Sequence, residues 1–271
     1  MDLNPQKVTG CLTGMTIGDA MGRGINGLKP EAIRQIFGIV DDYKDVRNVV
    51  GKGIKNYRMQ GLYGAPVQCA LAVCDGILTN KKKFLEETVK NFQKLAKGGP
   101  ENYYGTFRSS EGCLWKAVDL MDDRSLKEPT PLNSATGLFA FLSTPLALFY
   151  KKWSKTLAEQ CLQMALAFSS HPLEVVGALL NGFLVTRFLA MEESELISQR
   201  KDILEEAEEI CLQAESEYQK RLNIFGCETI QKYKNAFSNT IQTLVVQIGK
   251  PEKEVLQWIV ENANYFSKRE I

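Results

Sequence analysis

Apolar residues recur at three- and four-residue intervals through most of the chain, and no long stretch alternates between apolar and polar residues. The first spacing places side chains on one face of an α-helix, whereas alternation is typical of a half-buried strand. The pattern therefore predicts an all-α fold. The predicted helices cover residues 5–22, 67–78, 84–95, 113–121, the apolar run 137–150, 157–168, 173–188 and 192–222, and a last helix runs through Val255, Ile259 and Phe266.

The composition is that of an ordinary globular protein, with 44% hydrophobic and 24% charged residues among 271. No stretch has the composition of a linker, so we expect a single domain over residues 1–271. A formal charge of +1 gives no electrostatic basis for binding nucleic acid or an anionic membrane, and neither is expected as a partner.

The longest apolar run, the first ten residues and the cysteines indicate the cellular compartment in which the chain is expected. The apolar run 137–150 is too short to span a bilayer, and residues 1–10 do not resemble a signal peptide, so we expect a cytoplasmic protein. The seven cysteines form no C-x-x-C pair and are expected to be reduced, buried thiols.

The first predicted helix carries glycines at positions 10, 14, 18 and 22. Each glycine inside a helix costs about 1 kcal/mol relative to alanine. Such a ridge indicates that something approaches the helix backbone closely. Another packed helix and a ligand are both left open as the reason.

Residues 10–22, GCLTGMTIGDAMG, resemble the opening signature of the ADP-ribosylglycohydrolase family, in which a glycine-rich helix ends in Gly-Asp-Ala-x-Gly. Residues 68–73 are similar to the family's Q-M-A-L-A, residues 143–148 to its V-A-P-L-G-L, and residues 169–172 to its T-H-P turn. This resemblance spans residues 8–190. It implies a compact, multi-helix orthogonal bundle that holds two magnesium ions beside ADP-ribose.

The departures from the family pattern remove the expected magnesium ligands. Tyr63-Gly64-Ala65-Pro66 stands where the family has T-D-D-T, and Asn26 stands where it often has glutamate. Residues 136–142 are apolar where it has G-N-G-x-x-M-R, and nothing in residues 222–271 resembles its G-G-D-x-D-T. Since Mg²⁺ needs hard oxygen ligands, we expect no metal, no other cofactor and no catalytic residue.

Some residues still map to the family's cleft, and Asp19 is the one carboxylate left in these motifs. It either faces the old cleft or caps a neighbouring helix. His171, the only histidine, is interpreted as a structural residue before Pro172. The pairs Asp41-Asp42 and Asp122-Asp123 are interpreted as solvated surface. The residues expected to line the cleft as a ligand site are Gly18, Asp19, Asn26, Tyr63, Gly64, Phe141 and His171.

Three functional hypotheses follow. The first is a catalytically degenerate pseudoenzyme that serves as a binding, regulatory or structural module, with ADP-ribose, an ADP-ribosylated protein or an unidentified protein as its partner. The alternative is an active hydrolase that cleaves an N- or O-glycosidic ADP-ribose bond with a rearranged site that includes Asp19. The third is a cleft rebuilt for an apolar ligand by Phe139, Phe141 and Leu142.

Overall fold

The computed structural model describes residues 5–50, 59–98, 107–108, 112–121, 126–227 and 233–262. Within these ranges the chain forms helices and no strand, which confirms the all-α prediction. The chain divides into two compact units, residues 1–123 and residues 124–271. The single domain expected over residues 1–271 stays a prediction.

The N-terminal unit is organised around a close pair of helices, α4 and α5. The described helices of this unit are α1 (Pro5–Ile25), α2 (Pro30–Phe37), α3 (Arg47–Val50), α4 (Ala65–Thr79), α5 (Phe84–Lys97) and α6 (Gly112–Asp119). Phe107 packs edge-to-face on Phe92 of α5 and on Trp115 of α6, with ring centroids 5.9 and 5.3 Å apart. This aromatic cluster anchors residues 107–108 in the core of the unit.

The C-terminal unit is built around one central helix. A 3₁₀ turn at Ala140–Leu142 is followed by α7 (Ser143–Tyr150), α8 (Lys155–Phe168), α9 (Pro172–Ala190), α10 (Glu193–Ser198), α11 (Arg200–Ile224), α12 (Ala236–Val245) and α13 (Glu252–Asn262). Helix α9 packs against α7, α8, α11 and α12. By length and composition α9 is the one described helix that could cross a membrane, but a buried central helix is also apolar on most sides.

The predicted helix over residues 192–222 is wrong in one respect, because the structure has two helices there. They meet at Gln199, whose ψ is 6° and whose side-chain oxygen accepts a hydrogen bond from Arg187 of α9 at 3.0 Å. A capping box between Glu192 and Glu195 starts the shorter helix, α10. The apolar face of α11 is buried at Ala207, Cys211, Ala214 and Tyr218.

The glycines at positions 10, 14, 18 and 22 are not approached closely by another described helix. Apart from the backbone of α1 itself and the adjacent residues, no described heavy atom lies within 4 Å of where a Cβ would stand on any of them. A ligand as the reason for this ridge stays a prediction. A close approach of two helices occurs at Gly76 of α4. A Cβ there would lie 2.6 Å from Thr88 Oγ1 and 2.8 Å from the carbonyl oxygen of Phe84, both on α5.

Several smaller predictions can be located in the structure. The six cysteines whose side chains are described are free thiols. Cys69, Cys161 and Cys211 are buried as expected, whereas Cys11, Cys74 and Cys227 are only half-buried. Burial raises the pKa of Cys69 and Cys161. Asp41 and Asp42 are exposed, as expected of a solvated pair. Phe266 and the pair at 122–123 lie outside the described residues.

Candidate functional site

Asp19 lies on α1 at the start of α4. The backbone N–H of Gly64 donates to Asp19 Oδ2 at 2.7 Å, and the N–H of Val67 donates to the same carboxyl group. Gly64 is the N-cap residue of α4 and has no side chain with which to cap it. The first N–H groups of a helix have no acceptor within the helix. Asp19 therefore caps α4 from a neighbouring helix.

Two arginines lie beside this cap and link three segments of the N-terminal unit. Arg23, one turn after Asp19, donates from Nη2 to the carbonyl oxygen of Arg108 at 2.6 Å. Arg108 donates from Nη1 to the carbonyl oxygen of Tyr63 at 3.2 Å, and its Cζ lies 4.4 Å from the centroid of the Tyr63 ring. We call Asp19, Arg23, Tyr63, Gly64 and Arg108 the Asp19 cluster.

Burial sets the ionisation behaviour of the cluster's carboxyl group. Desolvation raises the pKa of Asp19 above its ordinary value. The hydrogen bonds from Gly64 and Val67 and the charges of Arg23 and Arg108 lower the pKa but only partly offset that increase. Both side chains whose charges act on Asp19 are cations, so the environment of this carboxylate is basic.

The other residues expected in the cleft are divided between the two units, and their grouping into one ligand site stays a prediction. Gly18 is exposed on α1, and Asn26 is exposed in the turn after that helix. Tyr63 and Gly64 join Asp19, as the cluster shows. Phe141 and His171 belong to the C-terminal unit, where Phe141 is half-buried in the 3₁₀ turn.

His171 is the N-cap of α9. Its Nδ1 accepts a hydrogen bond from the backbone N–H of Leu173 at 3.2 Å. The imidazole is buried and its ring centroid lies 4.7 Å from that of Tyr233. Because Nδ1 is engaged as an acceptor, the neutral ring carries its proton on Nε2.

Glu174, which we did not identify from the sequence, is the most completely enclosed carboxylate among the described residues of the C-terminal unit. Its exposed fraction is 0%. Oε1 accepts hydrogen bonds from the backbone N–H groups of Thr136 and, at 2.6 Å, of Gly137. Oε2 accepts from those of Phe139 and Ala140, both at 3.0 Å. The available signal was one acid in an otherwise apolar helix start, P-L-E-V-V, three residues after the N-cap.

The segment held by Glu174 corresponds to the apolar run 136–142 of the sequence. Phe139 stacks on Phe168 of α8, with ring centroids 5.5 Å apart and an interplanar angle of 16°. Leu142 and Phe139 are both buried. These side chains therefore fill the core of the C-terminal unit.

Comparison with known proteins identifies the family. The family model for ADP-ribosylglycohydrolase matches residues 2–265 of the 271. The chain belongs to the ADP-ribosylglycohydrolase family. This membership implies ADP-ribose-linked substrates in general. Searches of curated proteins and of solved structures found no significant match.

The magnesium implied by the family can be tested against the donor set of this family member. The Asp19 cluster offers one carboxylate, already bound to two N–H groups of α4, and two guanidinium cations. Among the described residues, no group of three or more His, Cys, Asp or Glu side chains could hold a metal ion. These donors do not fit Mg²⁺, which needs several hard oxygen ligands in octahedral order.

The cap made by Asp19 gives a stability prediction. Asp19→Ala should lower the free energy of unfolding by about 2 kcal/mol, because two N–H groups of α4 lose their acceptor. Asp19→Asn keeps an amide oxygen and should cost less than about 1 kcal/mol. Urea denaturation at neutral pH measures both changes. Asp119→Ala, at an exposed position of the same unit, is the matched control, and an equal loss in all three variants would contradict the cap.

The raised pKa of Asp19 gives this comparison a pH dependence. The pKa of Asp19 is higher in the folded chain than in the unfolded chain, where it has its ordinary value of about 3.9. Between these two pKa values the folded chain holds the proton and the unfolded chain does not. As pH rises through the folded pKa, the wild-type chain loses stability relative to Asp19→Asn. The unfolding free energy of wild type minus that of the variant should be larger near pH 4 than at pH 7. A difference that grows with pH would contradict the assignment.

Proposed function

We propose that this member of the ADP-ribosylglycohydrolase family is a catalytically degenerate protein that holds no magnesium and releases no ADP-ribose. The fold then serves as a binding or regulatory module, with ADP-ribose or an ADP-ribosylated protein as the partner that family membership favours. A cytoplasmic location agrees with this role.

The proposal rests on the hydrogen bonds that the Asp19 carboxylate accepts at the start of α4. The segment Tyr63-Gly64-Ala65-Pro66, which stands in place of the family's T-D-D-T, contains the N-cap residue of α4 and the first two residues of that helix. Its backbone N–H at Gly64 is a donor to Asp19, whereas a metal ion needs acceptors. The adjacent Arg23 and Arg108 add positive charge, which repels a divalent cation.

The direct test is an assay for release of ADP-ribose from ADP-ribosylated proteins. The purified chain is incubated with millimolar magnesium and with two substrates, one carrying an N-glycosidic and one an O-glycosidic linkage. An active family member is the positive control. We expect no release above the rate without protein, with or without magnesium. Magnesium-dependent release from either substrate would disprove the proposal.

The same assay distinguishes the proposal from the alternative, an active hydrolase with a rearranged site. If release were seen, Asp19→Asn should abolish it while the fold and thermal unfolding stay intact. Release of ADP-ribose that persists in Asp19→Asn would show that Asp19 takes no part in the rearranged site.

Titration of the chain with ADP-ribose in a calorimeter, with and without magnesium, tests the binding role. We expect the heat of binding to be independent of the metal.

A further inference from the structure

The C-terminal unit contains an open cavity of about 760 Å³ between α8 and α11. Both helices pack against α9, and Leu179 of α9 contributes to the lining of the cavity. Pockets for small organic ligands in proteins typically measure about 300 to 1,000 Å³. The cavity therefore has the size of a small-molecule site.

The lining is mainly apolar. Trp153, Ala158 and Leu162 contribute from α8 and the residues before it, and Ile210 contributes from α11. Trp153 is held in place by an edge-to-face contact with Phe183 of α9, with ring centroids 5.8 Å apart. An apolar molecule placed here would gain the free energy of removing its surface from water.

Most of the charged groups that line the cavity are paired with each other or with a neighbour. Glu159 accepts from Arg221 at 2.6 Å, and this ion pair joins α8 to α11. Glu217 accepts from Lys220, also at 2.6 Å. Lys155 is the one charged lining residue with no ion-pair partner among the described residues. The lining itself holds two lysines and two glutamates. When Arg221, outside the lining, is counted as the partner of Glu159, one positive charge is left without a partner, at Lys155.

A second feature favours negative charge at the same place. Lys155 is the first residue of α8, and the first turn of that helix contains no acidic side chain. Ser154 caps one N–H group of this turn, that of Leu157, at 3.2 Å. The positive end of the helix dipole thus adds to the charge of Lys155.

We infer that this cavity binds an apolar molecule that carries a single anionic group, of the fatty-carboxylate class. The hydrocarbon part occupies the space between Trp153, Leu162, Leu179 and Ile210. The carboxylate lies at the mouth of the cavity, beside the ammonium group of Lys155.

Calorimetric titration of the full chain with decanoate tests this inference, with decan-1-ol as the uncharged analogue. We expect decanoate to bind, and Lys155→Glu to weaken its binding at least about tenfold by replacing attraction with repulsion. The same variant should leave binding of decan-1-ol unchanged. Lys152→Glu makes the same charge change at an exposed residue outside the lining and should leave decanoate binding unchanged.

Two further variants fill the cavity from opposite walls. Ala158→Trp acts from α8 and Gln213→Trp from α11, where Gln213 is exposed and so tolerates the larger side chain. Each should abolish binding of both ligands while circular dichroism stays unchanged. Absence of heat with the wild-type chain, or decanoate binding that persists in Gln213→Trp, would overturn the inference.

The oligomeric state in solution tests whether a second copy of this chain occupies the cavity instead. If the wild-type chain were a dimer that Gln213→Trp converts to a monomer, a second copy would cover the cavity and the inference would be wrong. We expect light scattering to show the same mass for both chains. These results are independent of the ADP-ribose release assay, because the residues tested are not members of the Asp19 cluster.

Discussion

Replacing Glu174 with alanine is expected to lower the free energy of unfolding by about 4 kcal/mol, the scale of breaking a buried, fully hydrogen-bonded charged group. The loss arises because four backbone N–H groups between Thr136 and Ala140 donate to this carboxylate. With alanine at position 174 these donors have no acceptor, and the removed side chain leaves a void in a completely enclosed position.

Glu174→Gln tests how much the negative charge contributes to stability, because the glutamine side chain has nearly the same shape. The amide fills the same space, but its NH₂ group faces two of the N–H donors, so we expect a loss of about 2 kcal/mol or more. Glu209→Ala, at an exposed position of α11, is the matched control and should change stability by less than about 0.5 kcal/mol. Urea denaturation followed by circular dichroism measures all three. A loss below 1 kcal/mol for Glu174→Ala would show that water replaces the carboxylate.

Gly76→Ala should be the second most damaging of the substitutions considered, with a loss of about 3 kcal/mol from overpacking between α4 and α5. Two of the atoms that a methyl group would meet, the carbonyl oxygen of Phe84 and the backbone nitrogen of Thr88, belong to the main chain of α5. Main-chain atoms cannot rotate away as a flexible side chain does. The two helices must therefore separate to accept the methyl group.

Gly14→Ala is the control for this change, since it makes the same substitution inside a helix. No described heavy atom lies within 4 Å of the new methyl group, so only helix propensity is changed. Stability should rise by up to about 1 kcal/mol. The two variants, compared by thermal unfolding, should shift the midpoint in opposite directions. A lower unfolding midpoint in both variants would show that another part of the chain packs against α1 at Gly14.

Helices with a regular apolar face could be predicted from the sequence. The helix expected over residues 84–95 is observed as Phe84–Lys97, because its apolar positions repeat on one side and it is entered and left through turns. The break at Gln199 could not be predicted, since no glycine or proline marks it. The contact found at this break comes from Arg187, a residue of another helix that donates to the Gln199 side chain.

The candidate site was predicted only in part, because its contacts join residues far apart in the sequence. Asp19 and Gly64 could be singled out from family motifs, but their hydrogen bond spans 45 residues. Arg108 lies in no motif, and it is held at the cluster by the anchored ring of Phe107 and by a hydrogen bond from its backbone N–H to the side chain of Gln68. Glycine spacing did not locate the close helix contact: Gly76 is not part of a regular glycine repeat in the sequence, yet it is where the backbones of α4 and α5 meet.

The cap that Asp19 supplies to α4 also bears on the order in which the N-terminal unit folds. A helix whose cap lies in its own sequence can nucleate alone, but α4 starts at a glycine and a proline and borrows its acceptor from α1. Its first turn becomes stable only after a loop of some 45 residues has closed. Formation of α4 at its N-terminal end is thus coupled to docking of α1, so the two elements should acquire structure together in the transition state.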